Sequence, residues 1–306
     1  MYDCIIIGSV TLDLFFIGDS FTKNGDRYEL AVGGKYVADN FIQRVGGGGA
    51  NVSIGLGRQG FSTIFWGVLD DSLIGQHIVN ILESENIDTS IIEKRKDSMS
   101  VSAILLNNQG ERTIITHHAQ NVKRDFNDKI KFVINESKWL VIGDTSGNTL
   151  EEKIIWTQKA KEKGLSIFTM LTAKECKEDI KQLSPQLRIS DWIILNGHEL
   201  ADLLGIKYED LCLESRNYDI VLNVNGLIVT DGLNGAYAYS DMKRYFQRAI
   251  SPPKILDTTG AGDAFTSGFL GEYIRNKNIE QALLFAAQNA ASVIGKIGAQ
   301  DGLLKR

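Results

Sequence analysis

The chain has 306 residues, 43% apolar and 23% charged, and its 33 Lys and Arg against 38 Asp and Glu leave a net charge of −5. No basic block exceeds Lys94-Arg95-Lys96 and no apolar run approaches the roughly 18 residues of a membrane span, so a dedicated nucleic-acid or membrane binder is excluded and small-molecule chemistry is expected. Cys4, Cys176 and Cys212 are odd in number, far apart and without a Cys-x-x-Cys, which suggests reduced thiols and a cytoplasmic protein.

Thirty glycines beside three prolines point to tight turns and close backbone approaches rather than to a proline-rich linker. The length suits two domains or one large α/β domain with an insertion. The run Asp3 to Gly8 predicts a buried strand. Two stretches, 14–45 and 99–117, stand apart from the pattern of the rest. In the second, Ser100–Leu106 and Arg112–Thr116 flank the turn Asn107–Gly110 and read as a hairpin. Together the two stretches read as one small β-sheet over the edge of the main sheet. It is either a lid that excludes water from a reacting centre or a β insertion without a role.

From Ser62 onward, short apolar runs at 62–67, 139–143, 165–169, 191–195 and 226–230 alternate with helix-length amphipathic segments such as 149–163 and 175–182. This order predicts an α/β fold with a mostly parallel sheet covered by helices on both faces. Ligands then belong in the loops that follow the strands.

The sharpest chemical signal is Asp257-Thr-Thr-Gly-Ala-Gly-Asp263, which opens a helical segment running to Ile274. Free amides at Gly260, Ala261, Gly262 and Asp263 would face outward at the positive end of the helix dipole and suit an anion such as a phosphate. Asp263, in the first turn, could take a proton from a hydroxyl aligned for attack, although a plain helix cap with packing glycines has the same pattern. A second glycine-rich run, Val45 to Gly60, leads through Asn51 into another helix. A flexible linker remains the alternative. Asp13, five residues past Gly8, is either a turn residue or a carboxylate at the sheet's carboxyl end that accepts two sugar hydroxyls.

Taken together, segments 46–60 and 257–269 resemble the two signatures of the ribokinase-like (PfkB) carbohydrate kinase family, in the expected order and over essentially the whole chain. The resemblance implies one ribokinase-like three-layer α/β/α domain over 1–306, with the lid from 14–45 and 99–117. It implies transfer of the ATP γ-phosphate to a hydroxymethyl group, with Mg²⁺ and K⁺ as companions. By motif, Asp263 would be the catalytic base and Gly260, Ala261 and Gly262 the anion hole. Asp13, Gly47, Asn51 and His118 would hold a sugar or nucleoside. Asn196 and Glu199 would help place magnesium and phosphate, though a helix-opening Asn with a first-turn Glu reads the same way. Thr230 and Gly232 would lie by the phosphates and Asn289 by adenine, while Asp257 and Thr259 would touch the monovalent cation. The segment Gly298-Ala-Gln300 resembles the lining of adenine and that cation. Two departures concern acceptor and nucleotide rather than reaction class: Gly48 stands where ribokinases commonly carry Lys, and Asp231 adds charge beside the phosphate loop. His117, Asn121 and Asp144 are further acceptor-side candidates.

A sugar or nucleotide sensor on the same fold is a competing reading, which the presence of Asp263 opposes. A nicotinamide-dependent enzyme is a third reading, but it would need a Gly-x-Gly-x-x-Gly after the first strand, where Gly8-Ser-Val-Thr stands instead. Apolar residues such as Ile104, Leu106 and Ile114 on the lid suggest a homodimer through it.

Overall fold

The computed structural model describes residues 1–25 and 27–306. Asp26, within the expected lid stretch 14–45, lies outside the described residues. β1 (Tyr2–Ile7) runs directly into β2 (Thr11–Ile17), β3 (Thr22–Asn24), β4 (Arg27–Glu29) and β5 (Asn40–Gly46), and α1 (Gly48–Arg58) returns the chain to the main sheet. Next come β6 (Thr63–Trp66), β7 (Val68–Leu69), α2 (Leu73–Ser84), β8 (Ile87–Asp88) and β9 (Glu93–Lys94), then the hairpin of β10 (Ser100–Leu106) and β11 (Arg112–His117). A regular alternation follows in α3 (Asp128–Asn135), β12 (Ser137–Ile142), α4 (Leu150–Glu162), β13 (Ser166–Met170), α5 (Ile180–Ile189), β14 (Trp192–Asn196), α6 (Gly197–Leu204), α7 (Tyr218–Leu222) and β15 (Gly226–Thr230). The chain closes with β16 (Ala236–Ser240), β17 (Lys243–Gln247), α8 (Ala261–Asn276) and α9 (Ile279–Ile294).

The main sheet has the order β17-β16-β15-β14-β13-β12-β1-β6-β8 and is parallel from β15 to β8. Strand β1 is apolar throughout its buried stretch because both faces are covered. Cys4 and Ile6 join the core with α1, α8 and α9, whereas Ile5 and Ile7 pack with Ile130 of α3 and Trp156 of α4. The result is the expected three-layer α/β/α arrangement. The antiparallel edge strands β16 and β17 were not anticipated. Their burial alternates only partly, so periodicity alone does not mark them.

The lid is a four-stranded sheet of order β11-β10-β2-β5, in which β2 pairs parallel with β10 and antiparallel with β5. It begins at Thr11, earlier than residue 14. Phe15, Ile17, Ile104 and Leu106 form its buried inner cluster. Asp13 is thereby corrected: it lies within lid strand β2, opposite Arg44 and beside Ser102, not in a loop at the main sheet's edge.

The segment 175–182 is not one helix. A 3₁₀ turn at Glu175–Lys177 ends at extended Glu178, and Asp179 then caps α5 by accepting from the Lys181 amide. Glu175 has another bond to satisfy: its carboxylate meets the fully buried Lys153 ammonium of α4 at 2.6 Å, and Lys153 also donates to the Gly143 carbonyl at 2.9 Å. This pair ties the end of β12 to the turn after β13. Replacing Glu175 by Gln leaves a buried ammonium without its counter-charge. We expect Glu175→Gln to lose about 3 kcal/mol of stability, read from the urea midpoint at unchanged slope.

Candidate active site

The glycines of the first signature are required by close packing. Gly47, the residue before α1, has φ 89°, and a Cβ there would fall 2.7 Å from the Ser9 carbonyl oxygen. Gly49 and Gly8 face each other so closely that a Cβ on either would lie 2.7 Å from the other's Cα. The first turn of α1 is thus pressed onto the end of β1, which places Asn51 at the carboxyl edge of the sheet.

The second signature opens α8. Gly260 precedes it with φ 75°, and a Cβ there would strike Ala299 at 2.2 Å. Gly262 meets nothing within 4 Å, so its backbone borders open space where a phosphate has room. Asp263 follows in the first turn. Its Oδ2 accepts from Asn51 Nδ2 at 2.8 Å, joining two residues 212 apart in sequence. Burial raises the Asp263 pKa above the ordinary carboxylate range, and the Asn51 hydrogen bond, which favours the charged form, holds part of that rise back.

On the lid side, Asp13 is 7% exposed and accepts from Thr11 Oγ1 at 3.1 Å and from Ser102. Burial raises its pKa, the two hydroxyls oppose the rise, and the Asp257 charge adds to it. His118 follows directly on β11 and is exposed; by strand alternation it shares the side of Thr116, which donates to Ser102 at 3.4 Å. His117 belongs to the opposite side. Asn121 binds the Lys96 carbonyl, and Asp144 receives the Ser146 amide and hydroxyl in a turn, leaving Thr149 to cap α4.

Beside the first turn of α8 is a cavity of about 280 Å³, lined among others by Thr230, Gly232, Ala261, Gly262, Ala287 and Ala291. Its walls are mainly small and apolar, as a flat base requires. The structure brings Thr230 and Gly232 of the β15 loop to the same cavity as Ala261 and Gly262. Asn289 is corrected: fully buried, it donates to the Ala264 carbonyl at 2.7 Å and accepts from the Leu304 amide at 2.8 Å, while Ala287, Ala290 and Ala291 line the cavity. Asn196 pairs in register with Thr230 at the strand ends. It forms a reciprocal capping box with Glu199, at 2.9 and 2.8 Å, so the helix-opening reading of this pair holds in the structure. Burial raises the Glu199 pKa. The charge on Asp231 is held by Tyr208 at 2.5 Å and Asn234 at 3.0 Å.

Asp257 is 1% exposed and accepts from the Thr259 amide and hydroxyl and from the Gly298 amide, while Arg112 of the lid lies 3.7 Å away and donates to Thr258. A residue that sequence reasoning passed over is Arg124, whose buried guanidinium donates to the carbonyls of Gly8, Trp66 and Ser146. Burial lowers its pKa to about 10. Its only signal in the sequence is a cation following the lid, which nothing distinguishes from a surface Arg.

Comparison with known proteins agrees with this geometry. The model of the pfkB family carbohydrate kinases matches residues 2–306. The 5-dehydro-2-deoxygluconokinase of Mesomycoplasma hyopneumoniae strain 7448 is 26% identical over 314 residues, covering 96% of this chain and 87% of that protein. Probable fructokinase-7 of Arabidopsis thaliana is 28% identical over 301 residues, covering 88% and 84%. Among solved structures, a putative ribokinase from Agrobacterium tumefaciens superposes with a TM-score of 0.82 at 18% identity, covering 99% and 94%. Arabidopsis thaliana ribokinase complexed with ribose and ATP superposes with a TM-score of 0.76 at 20% identity, covering 97% and 94%. The chain belongs to the pfkB family of carbohydrate kinases. It is a phosphotransferase acting on a sugar hydroxyl.

Gly46 supplies a sharp test of the acceptor side. A Cβ there would lie 2.1 Å from Asp13 Oδ2 and 2.7 Å from Thr11 Oγ1. Gly46→Ala is therefore expected to displace Asp13 and raise the acceptor KM by more than about tenfold while the ATP KM stays within about twofold, measured by initial rates.

Proposed function

We propose that the chain transfers the γ-phosphate of ATP to a hydroxymethyl group of a small carbohydrate of the ribose or fructose kind, bound between the lid and the first turns of α1 and α8. The observation that carries this reading is the position of Asp263: its backbone turn borders the 280 Å³ cavity, and its carboxylate is bonded to Asn51 of the other signature. ATP would occupy the cavity beside Thr230 and Gly232. The acceptor would be held by Asp13, Asn51, the Gly47 turn and His118. Asp263 would accept the proton of the attacking hydroxyl while the amides of Gly260, Ala261 and Gly262 neutralise charge on the transferring group.

Mg²⁺ would arrive with the nucleotide. It would be held mainly by phosphates and waters, with Glu199 at its border. A monovalent cation such as K⁺ suits Asp257 and Thr259: a buried carboxylate supplies charge, and the Thr259 hydroxyl, which donates to it, keeps its lone pairs for an ion. A cytoplasmic setting follows from the need for ATP. Among the described residues no helix is long and apolar enough to cross a membrane.

Charge favours a neutral acceptor over a sugar acid. Asp13 and Asp263 are both carboxylates. Of the cations named above, Arg44 is paired with Asp301 at 2.6 Å, Arg112 lies 3.7 Å from the Asp257 carboxylate, and Arg124 has its donors turned onto three carbonyls. A nucleoside satisfies the same condition and is the second reading.

ADP release from Mg·ATP across pentoses, hexoses, sugar acids and nucleosides tests the proposal. Wild-type turnover with a neutral acceptor and a loss of at least about 10³-fold in Asp263→Asn are expected. ATP binding without turnover on any acceptor would favour the sensor instead. The pH dependence has a defined sign. The base works ionised, so kcat/KM falls as pH drops through the raised Asp263 pKa, and the acid limb lies above that of an ordinary carboxylate. Because the folded pKa exceeds the unfolded one, ionised Asp263 costs stability at neutral and higher pH. Asp263→Asn should therefore melt no lower than wild type at pH 8 by calorimetry.

The outer lid face carries Phe16, Leu105, Phe41 (52% exposed) and Ile115 (58% exposed), and we propose that a second copy covers it. Sedimentation should show a dimer that Ile115→Asp converts to monomer.

A further inference from the structure

Asn51 orients the base only if its amide is the right way round, since either end of an amide fits the same space. Its Oδ1 accepts from Gln300 Nε2 at 2.9 Å, leaving Nδ2 for Asp263. Gln300 has the same ambiguity, and here a backbone group removes it: Nε2 also donates to the Val45 carbonyl at 2.7 Å, which can only accept. The polarity is thus set from the Val45 end even when Asp263 is protonated and could itself donate, whereas an ionised Asp263 favours the same orientation from its own end. Val45 fixes Gln300, Gln300 fixes Asn51, and Asn51 presents a donor to Asp263. Turning the Asn51 amide over would set its oxygen against a carboxylate and its NH₂ against another NH₂.

We propose that Gln300 is a positioning residue for phosphoryl transfer, which keeps the Asn51 amide turned with its donor toward the base Asp263. The proposal rests on the kinase reading above. Gln300 and Asn51 are 5% and 3% exposed, so water cannot readily replace either donor. The Gln300 backbone is itself pinned, since Arg58 of α1 donates to its carbonyl. Val45 is the penultimate residue of lid strand β5, and Asp301, next to Gln300, pairs with Arg44 of the same strand, so lid and base share one connected support. The resemblance placed Gln300 at the adenine or cation lining; in the structure its side chain lies under Asn51 instead.

The other charged groups around the base do not set its state. Arg44 is neutralised by Asp301 and Arg58 by Glu85, and Arg112 lies on Thr258 and Asp257. Asp13 is influenced by Asp257, whereas Asp263 is shifted by burial and by the Asn51 hydrogen bond. Met170, close to the position a Gly48 side chain would take, is uncharged.

Two variants remove the donor without altering volume greatly: Gln300→Met and Gln300→Glu. In each, the ¹³C-carboxyl titration of Asp263 and the acid limb of kcat/KM are expected to move upward together by roughly one pH unit, further for Glu. Turnover about one unit below the wild-type limb should then drop about tenfold and recover at high pH. In an Asn51→Leu background, Gln300→Met should add no shift. In the unmutated protein, the Asn51 side-chain NH₂ resonances should follow the Asp263 titration more strongly than those of Gln300.

A folded Gln300→Met protein with an unmoved titration, or a loss of rate equal at every pH, overturns the proposal. So does an Asn51 amide in wild type that ignores the Asp263 titration, a measurement that survives even if neither variant folds. The titration needs no acceptor. Absence of turnover in the wild-type panel would therefore count against the kinase reading, and an unmoved titration against Gln300.

Discussion

The close packing of α1 against α8 is the constraint on which the site depends. A Cβ on Gly55 of α1 would lie 2.3 Å from the Ser267 hydroxyl of α8, and one on Gly271 of α8 would lie 2.2 Å from the Gln59 side chain. Gln59 donates to the carbonyls of Gly55 and Ser267, joining the two helices through their backbones. Larger residues at either glycine would separate the helices, and the 2.8 Å contact between Asn51 and Asp263 would be lost with them. The glycines serve helix packing in the helix bodies, and at the start of α8 Gly262 leaves open space.

The lid is joined to this centre by apolar packing, Leu12 and Val45 lying in the main core and Ile297 on the lid's own cluster, and by polar contacts. Arg112 reaches Thr258 and Asp257, Arg44 reaches Asp301, and a Cβ on Gly110 would lie 2.9 Å from the Leu256 carbonyl oxygen. Beneath the lid, β1 of the parallel sheet is buried on both faces, and Arg124 gathers the carbonyl at the end of β6 and those just beyond β1 and β12.

Burial works against charge at both key carboxylates. Asp13 and Asp263 each carry a raised pKa, and each is partly relieved by a neutral donor, hydroxyls for one and an amide for the other. Neutral donors leave a carboxylate basic enough to take a proton or to bind sugar hydroxyls. A direct ion pair would quench that basicity.

Much of this was legible in the residues alone. The apolar runs at 62–67, 139–143, 165–169, 191–195 and 226–230 are strands, because a two-sided burial demands uninterrupted apolar sequence. The Asp257–Asp263 segment announces a helix start that can take an anion, since that property is local to the backbone. Tertiary structure alone decided the rest. Asp13 could not be assigned to the lid strand, because a chain leaving one sheet for another carries no sequence mark at the crossing. Asn289 and Asn51 are both asparagines on helices, and only the neighbours brought by folding turn one toward the backbone of α8 and the other toward the Asp263 carboxylate. Gln300 was visible as a polar residue near the end of the chain, but its hold on Asn51, 249 residues away, exists only through long-range packing.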